Sequence, residues 1–261
     1  MLMSGLTCYN PKNSVPSDLS PDNLFLPTDN TATQGSLDII SQWTDDNEMR
    51  LNTEKTRYMI LNFCKSLRFG TRLHLNGSLL DQARETKLLG VIISDDLTWH
   101  SNTRYITTRA YQRMIILKNL YQFNIPVAEL VTIYTMYIRS ILEQSCVVWG
   151  SSITQDEVMS IERVQKCALR IILKSDYMSY ENGLAIAKLS TIQDRIRMLQ
   201  LRFAKKCVSK EATQDMFPLK LANRTTRQTD IYEVPFARTS RLARSAIPTM
   251  ARLLNEDLKT N

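Results

Sequence analysis

The residue types able to carry chemistry are few in this chain, and their spacing limits what they can do. Ser94-Asp95-Asp96 closes an apolar run, and Asp45-Asp46 forms a second acidic pair. Paired carboxylates at a strand end can hold magnesium for phosphoryl chemistry, given a further carboxylate strand before them with a hairpin between. The five cysteines, Cys8, Cys64, Cys146, Cys167 and Cys207, are far apart, odd in number and without a C-x-x-C pair. That spacing argues against a disulfide framework and against a zinc site, and it fits a reducing compartment. His74 and His100 have no cysteine at ligand spacing, so no metal and no cofactor are expected. Arg163, Lys166, Arg170 and Lys174 are spaced three, four and four apart. On a helix these four share one face, as a phosphate-tracking helix requires. Ile161, Val164, Ala168, Leu169 and Ile172 fall on the opposite face, which is expected to be buried. Trp43, Trp99 and Trp149 have the chemistry to stack on bases. Each stands at an apolar helical position or a helix entry, so core packing is expected instead.

These residues must be positioned by a chain of 261 residues, long enough to bury a sizeable core. Hydrophobic residues make up 43% and charged residues 23%, the balance of a globular protein. Seven glycines and eight prolines are too few for a loop-rich all-β protein, and the long stretches without them favour helices. The formal net charge of +7 is uneven. Residues 1–54 hold two basic residues against eight acidic ones, whereas 163–210 hold eleven basic against three acidic. Such asymmetry points to a polyanion partner for the basic half. No apolar run reaches the roughly 18 residues of a membrane span. No charged and apolar leader opens the chain, so neither membrane insertion nor a signal peptide is expected.

The elements follow from pattern. Residues 1–35, rich in Asn, Ser, Pro and Thr, read as a disordered segment. Ser36 caps a helix reaching about Arg50, with Leu37, Ile40 and Trp43 on its repeat. Strands are expected over 58–63, 72–75 and 87–93. A hairpin turn falls at Asn76-Gly77, and Gly90 marks a bulge or a close approach. Thr98 or Ser101 caps a helix to about Tyr121, and Pro126 opens another to about Trp149. Thr154-Gln155-Asp156-Glu157 is a capping box for a helix ending near Leu173. Helices near 180–187, 191–210 and 245–257 complete the chain. The expected fold class is α+β, with a small helix–strand–hairpin unit at 36–96, a helical domain at 97–210 and an irregular tail with a terminal helix at 211–261.

The order of these phrases resembles a known family. Leu51-Asn52-x-x-Lys55-Thr56 before a strand resembles the fourth conserved palm block of non-LTR retrotransposon reverse transcriptases. Asn76-Gly77, then Lys87-Leu88-Leu89-Gly90-Val91 and Asp96-Leu97-Thr98-Trp99, is similar to the next block, which grips the primer terminus. Ile133-Tyr134, Ile138-Arg139, Val148-Trp149 and Ile161-Glu162-x-Val164-Gln165-Lys166 resemble the helical thumb. Tyr232-Glu233-Val234-Pro235 with Arg238-Thr239-x-Arg241 is similar to the end of such reading frames.

The resemblance covers residues 36–257 and implies a palm edge followed by a thumb. It makes Asn52, Lys55 and Gly90 a vestigial palm motif. In active relatives a lysine at the place of Lys55 protonates the departing pyrophosphate. The catalytic Tyr/Phe-x-Asp-Asp hairpin would stand just before residue 37, where Leu26-Pro27-Thr28-Asp29-Asn30 is found. The resemblance also places Asp95 and Asp96 after the last palm block, so they read as turn and helix-start residues. Asp45-Asp46 reads as a solvated mid-helix pair. The expectation is a catalytically inactive remnant, intracellular in the cytoplasm or nucleus. At most it binds RNA or an RNA–DNA duplex weakly and non-specifically through its basic helix.

Residues 85–145 are also similar to the short N-terminal domain of AlkB-type 2-oxoglutarate dioxygenase/tRNA methyltransferase proteins. The residues do not supply that chemistry. His74-Leu75 and His100-Ser101 form no His-x-Asp iron triad, and no glycine-rich cofactor loop follows a strand. A helical interaction module without enzymatic role is the remaining alternative.

Overall fold

A computed structural model describes residues 31–61, 72–220 and 230–260. The chain is an α+β protein in which helices dominate and the strands are short. Leu26–Asn30, Cys8, Cys64 and the end of the strand expected over 58–63 lie outside the described residues. The chain divides into two compact units, 1–88 with 93–97 and 89–92 with 98–261.

The first unit opens with α1 (Thr31–Asp46). The helix begins five residues before Ser36 and ends four before Arg50, so part of the segment expected to be disordered is helical. Asp45 and Asp46 therefore close the helix instead of lying within it. Four two-residue strands follow: β1 (Arg57–Tyr58), β2 (His74–Leu75), β3 (Ser78–Leu79) and β4 (Asp81–Gln82). β1 pairs with β4 in parallel, and β2 pairs with β3 antiparallel, with Leu75 opposite Ser78. Between β2 and β3 stand Asn76 at φ 50° and Gly77 at φ 75°. Two successive positive φ angles define the type I′ turn that an Asn-Gly pair favours. Leu73, Leu75 and Leu80 are buried in a small core with Leu37, Leu51 and Tyr58 against it. The Gln34 side chain fastens α1 to β2 as a strand neighbour would. Its Nε2 donates to the His74 carbonyl at 2.8 Å, and its Oε1 accepts from the His74 N–H at 2.9 Å. Trp43 does not join this core. It is 56% exposed, because the leucine side of α1 faces the strands and Trp43 lies off that side.

The strand expected over 87–93 is two strands, β5 (Glu85–Leu88) and β6 (Val91–Ser94), which pair across Leu89-Gly90. Leu89 has φ 48° and Gly90 φ 89°, so Gly90 forms a turn and not a bulge. A Cβ at Gly90 would also collide with the Gln144 side chain. Asp95 and Asp96 form the next turn, with the Asp95 N–H bound to the Arg84 carbonyl at 2.8 Å. They do not start the following helix, which begins four residues later at His100.

The second unit is a helical assembly. α2 (His100–Leu120) has Trp99 at its N-cap and no side-chain cap, so neither Thr98 nor Ser101 serves as one. A 3-10 turn carries the chain through Phe123. From Pro126 the backbone runs through α3 (Val127–Ile133), a π-helical turn (Tyr134–Arg139) and α4 (Ser140–Glu143). It breaks at Ser145, φ 52°, before α5 (Cys146–Trp149), where a single helix to Trp149 was expected. The wider π turn keeps Tyr134, Ile138 and Leu142 fully buried. Arg113 on α2 donates to the Tyr137 carbonyl of that turn at 3.1 Å.

The chain continues through α6 (Gln155–Leu173), α7 (Tyr180–Ala187), α8 (Ile192–Val208), α9 (Glu211–Gln214), α10 (Ser240–Ala243) and α11 (Ala246–Thr260). α2 packs along α6, meeting its apolar face with Ile106, Ala110, Met114 and Leu117. α8 packs against α11, where Ala204, Cys207, Phe217, Met250, Ala251 and Leu254 form one buried cluster. The tail is tied to this cluster by Asn255. Its Oδ1 accepts from the Ile231 and Tyr232 N–H groups, and its Nδ2 donates to the Tyr232 carbonyl at 2.9 Å.

Candidate nucleic-acid interface

α6 is built from its first residue by a capping box. The Thr154 Oγ1 accepts from the Glu157 N–H at 3.3 Å, and the Glu157 carboxylate accepts from the Thr154 N–H at 2.6 Å. These two bonds satisfy groups that a helix start otherwise leaves unpaired. Thr154→Ala should lower the stability of the chain by about 1 kcal/mol. The check is the midpoint of urea unfolding, which should fall with the slope unchanged; an unmoved midpoint would show that the cap contributes nothing.

The two faces of α6 separate as their spacing implies. Ile161, Val164, Ala168, Leu169 and Ile172 are all buried. Arg163 and Arg170 are exposed and Lys166 is half-buried. Lys174, expected on the same helix face, is exposed but stands past the helix end, at φ 52° in a 3-10 turn, because the backbone leaves the α-helical repeat after Leu173. Tyrosine rings stand against three of the four cations. The Lys166 Nζ lies 4.8 Å from the Tyr180 ring centre, the Arg170 Cζ 5.4 Å from that of Tyr177, and the Lys174 Nζ 3.5 Å from that of Tyr121. Arg163 acts on a fourth ring, Tyr111, whose hydroxyl is pushed up by burial and by Cys167 while Arg163 opposes the shift. Sequence reasoning missed these rings. Tyr177 and Tyr180 follow the helix closely, but Tyr111 and Tyr121 come from α2 and the turn after it.

A cation over a ring face keeps its N–H groups directed outward, so the contact orients the charge without using up its donors. The rings stiffen long side chains that would otherwise lose freedom on meeting a phosphate. Tyr111 and Tyr121 are 43% and 40% exposed, leaving ring surface beside the charges.

Beneath the basic row lies a buried polar network. Gln165, 0% exposed, accepts from the Tyr134 hydroxyl at 2.8 Å. Its Nε2 donates to the Tyr180 hydroxyl and to the Ser190 carbonyl, each at 2.9 Å. Tyr180 in turn donates to the Glu162 carboxylate. Burial pushes the Tyr134 hydroxyl well up, and burial with the Glu162 bond does the same to Tyr180. Both therefore stay neutral donors. Glu143 is held between Arg139 at 2.9 Å and Arg195 at 3.0 Å.

The remaining sequence candidates lie elsewhere. Asn52 and Lys55 stand in the first unit, where the Asn52 Oδ1 accepts from the Lys55 N–H at 3.0 Å and Lys55 itself is exposed. Gly90 belongs to the second unit. Trp149 is fully buried and donates to the Gln144 carbonyl at 3.0 Å, and Trp99 is buried as well. His100 stands 3.8 Å from Glu157, with its side chain 80% exposed. Among the described residues no group of three His, Cys, Asp or Glu side chains comes together, and no helix is long and apolar enough to cross a membrane.

Fold and site together define a mainly helical α+β protein presenting a basic, tyrosine-backed helix face. No family model, no curated protein and no solved structure matches the chain.

Proposed function

We propose that this chain is a non-catalytic remnant of a non-LTR retroelement reverse transcriptase. It holds RNA or an RNA–DNA duplex weakly, without sequence preference, through the basic face of α6. The observation that carries the reading is the row of Arg163, Lys166 and Arg170 on one side of a helix whose other side is buried, with Lys174 just past the helix end. Such a row meets successive phosphates, and the half-exposed tyrosines beside it offer stacking surface that any base can use. The order of palm-like and thumb-like phrases along residues 36–257 supports the retroelement origin, and the thumb is where such a helix lies near primer and template. The role belongs to a reducing intracellular compartment, cytoplasm or nucleus.

Binding should be read by fluorescence anisotropy on labelled single-stranded RNA and on an RNA–DNA duplex. With all four cations on phosphates, affinity should fall about 50- to 150-fold between 50 and 200 mM salt. Two unrelated sequences should bind alike. No binding at low salt would sink the binding role. Nucleotide incorporation in a primer-extension assay with magnesium would sink the non-catalytic one.

A further inference from the structure

A cavity of about 390 Å³ opens in the helical unit between the start of α6, α8 and α11. Its inner wall is aliphatic, with Ile153, Ile161, Ile192 and Leu253 all buried. Three arginines, Arg197, Arg244 and Arg252, stand on its lining. The carboxylate there is Glu162, whose two oxygens already accept from the Tyr180 hydroxyl and, at 3.1 Å, from the Gln193 N–H. Arg197 is paired with Glu256. Arg252 donates through Nη2 to the Ala243 carbonyl and to the Thr249 Oγ1, which fixes its guanidinium and leaves further N–H groups. Arg244 is exposed, and its side chain has no partner among the described residues. Ser151, also on the lining, has a buried Oγ with no partner among the described residues. Arg163, Lys166, Arg170 and Lys174 are not on its lining.

We propose that this cavity binds a single nucleotide bearing a terminal phosphate, with Arg244 and Arg252 on the phosphate and the base against the isoleucine wall. Size, wall and charge each narrow the choice. The volume lies at the lower end of small-ligand sites, about 300 to 1,000 Å³. A bare anion would leave the aliphatic wall in water. An uncharged aromatic molecule would leave two planar, donor-rich guanidinium groups without the oxygens they match. A nucleotide answers both, and its sugar hydroxyls give Ser151 a partner. The same chemistry comes either as a free mononucleotide or as the phosphorylated end of a strand.

The test is calorimetric titration of the full chain with AMP, adenosine and inorganic phosphate. It is joined by RNA oligonucleotides with and without a 5′-phosphate. AMP should bind at least about tenfold more tightly than adenosine or phosphate alone, since each charge-assisted contact is a strong one. Arg244→Ala should weaken AMP about tenfold, while the joint Arg170→Glu and Lys174→Glu variant should leave AMP binding unchanged. That second variant separates failure here from failure of the α6 interface. A preference for phosphorylated ends that Arg244→Ala removes assigns a strand end; AMP binding without such a preference assigns a free mononucleotide. AMP binding no tighter than adenosine or phosphate, or unaltered by Arg244→Ala, would overturn the site.

Discussion

Replacing Arg163, Arg170 and Lys174 together with glutamate is expected to weaken RNA binding about 100- to 500-fold at 0.1 M salt. The magnitude follows from counterion release, in which each phosphate contact contributes about 0.7 to 0.9 to the slope of log affinity against log salt. Three lost contacts should remove about 2 to 3 from that slope. These three side chains are exposed, whereas Lys166 is half-buried against Tyr180 and acts electrostatically on Glu181. Lys166 is therefore left in place. The triple change also ends the contacts of Arg170 with Tyr177 and of Lys174 with Tyr121. Each such contact is worth about 0.5 to 1 kcal/mol at an exposed site. The fold should survive that loss, because the buried face of the helix is untouched. The glutamine triple variant is the control, with an affinity between wild type and the glutamate variant. Anisotropy at several salt concentrations decides the matter. Unchanged affinity and slope would place the interface elsewhere.

What the sequence made legible is what neighbouring residues determine among themselves. The Thr154–Glu157 capping box is a contact across three positions, and it forms as the pattern implies. Asn76-Gly77 forms its turn for the same reason, since both residues tolerate positive φ. Leu89-Gly90 makes a similar turn with a leucine at φ 48°, a residue that does not announce it. The apolar pattern therefore runs on as one strand where the backbone turns. α1 begins at Thr31 within a polar, proline-rich stretch, where composition hides the helix. The break at Ser145 and the π turn at Tyr134–Arg139 come from packing that no local pattern encodes.

The site divides along the same line. Arg163, Lys166, Arg170 and their buried opposite face lie on one helix, so the 3.6-residue repeat exposes both, whereas Lys174 stands past the helix end, which the repeat does not reveal. The rings of Tyr111 and Tyr121 belong to elements some 50 residues earlier in the chain and reach the row through the packing of α2 on α6. Gln165 looks polar and solvent-facing in sequence, yet it is fully buried because three partners from distant elements saturate it. Trp43 fails in the opposite sense, standing at a helical apolar position with no described element over it.

Gln165→Leu should destabilise the helical unit by about 3 to 4 kcal/mol. Leucine fills much of the same volume, so the loss is one of hydrogen bonding and not of packing. The change strands the Tyr134 hydroxyl and the Ser190 carbonyl in the interior, and each buried group left unpaired costs about 1 to 3 kcal/mol. Tyr180 keeps its bond to Glu162 and is spared. Adding Tyr134→Phe should return part of the loss, because removing both partners leaves less unsatisfied than removing one. The pair should therefore cost less than the sum of the single changes in urea unfolding. The same network sets a dependence on alkali. Tyr134 and Tyr180 are held above the ordinary phenol value, chiefly by burial. An unfolded chain releases these protons near pH 10. The stabilisation is then full below that point and is lost as pH rises beyond it. Tyr134→Phe should flatten that alkaline decline. A Gln165→Leu protein as stable as wild type, or strictly additive single and double variants, would mean that the network contributes nothing to holding α6 beneath its basic face.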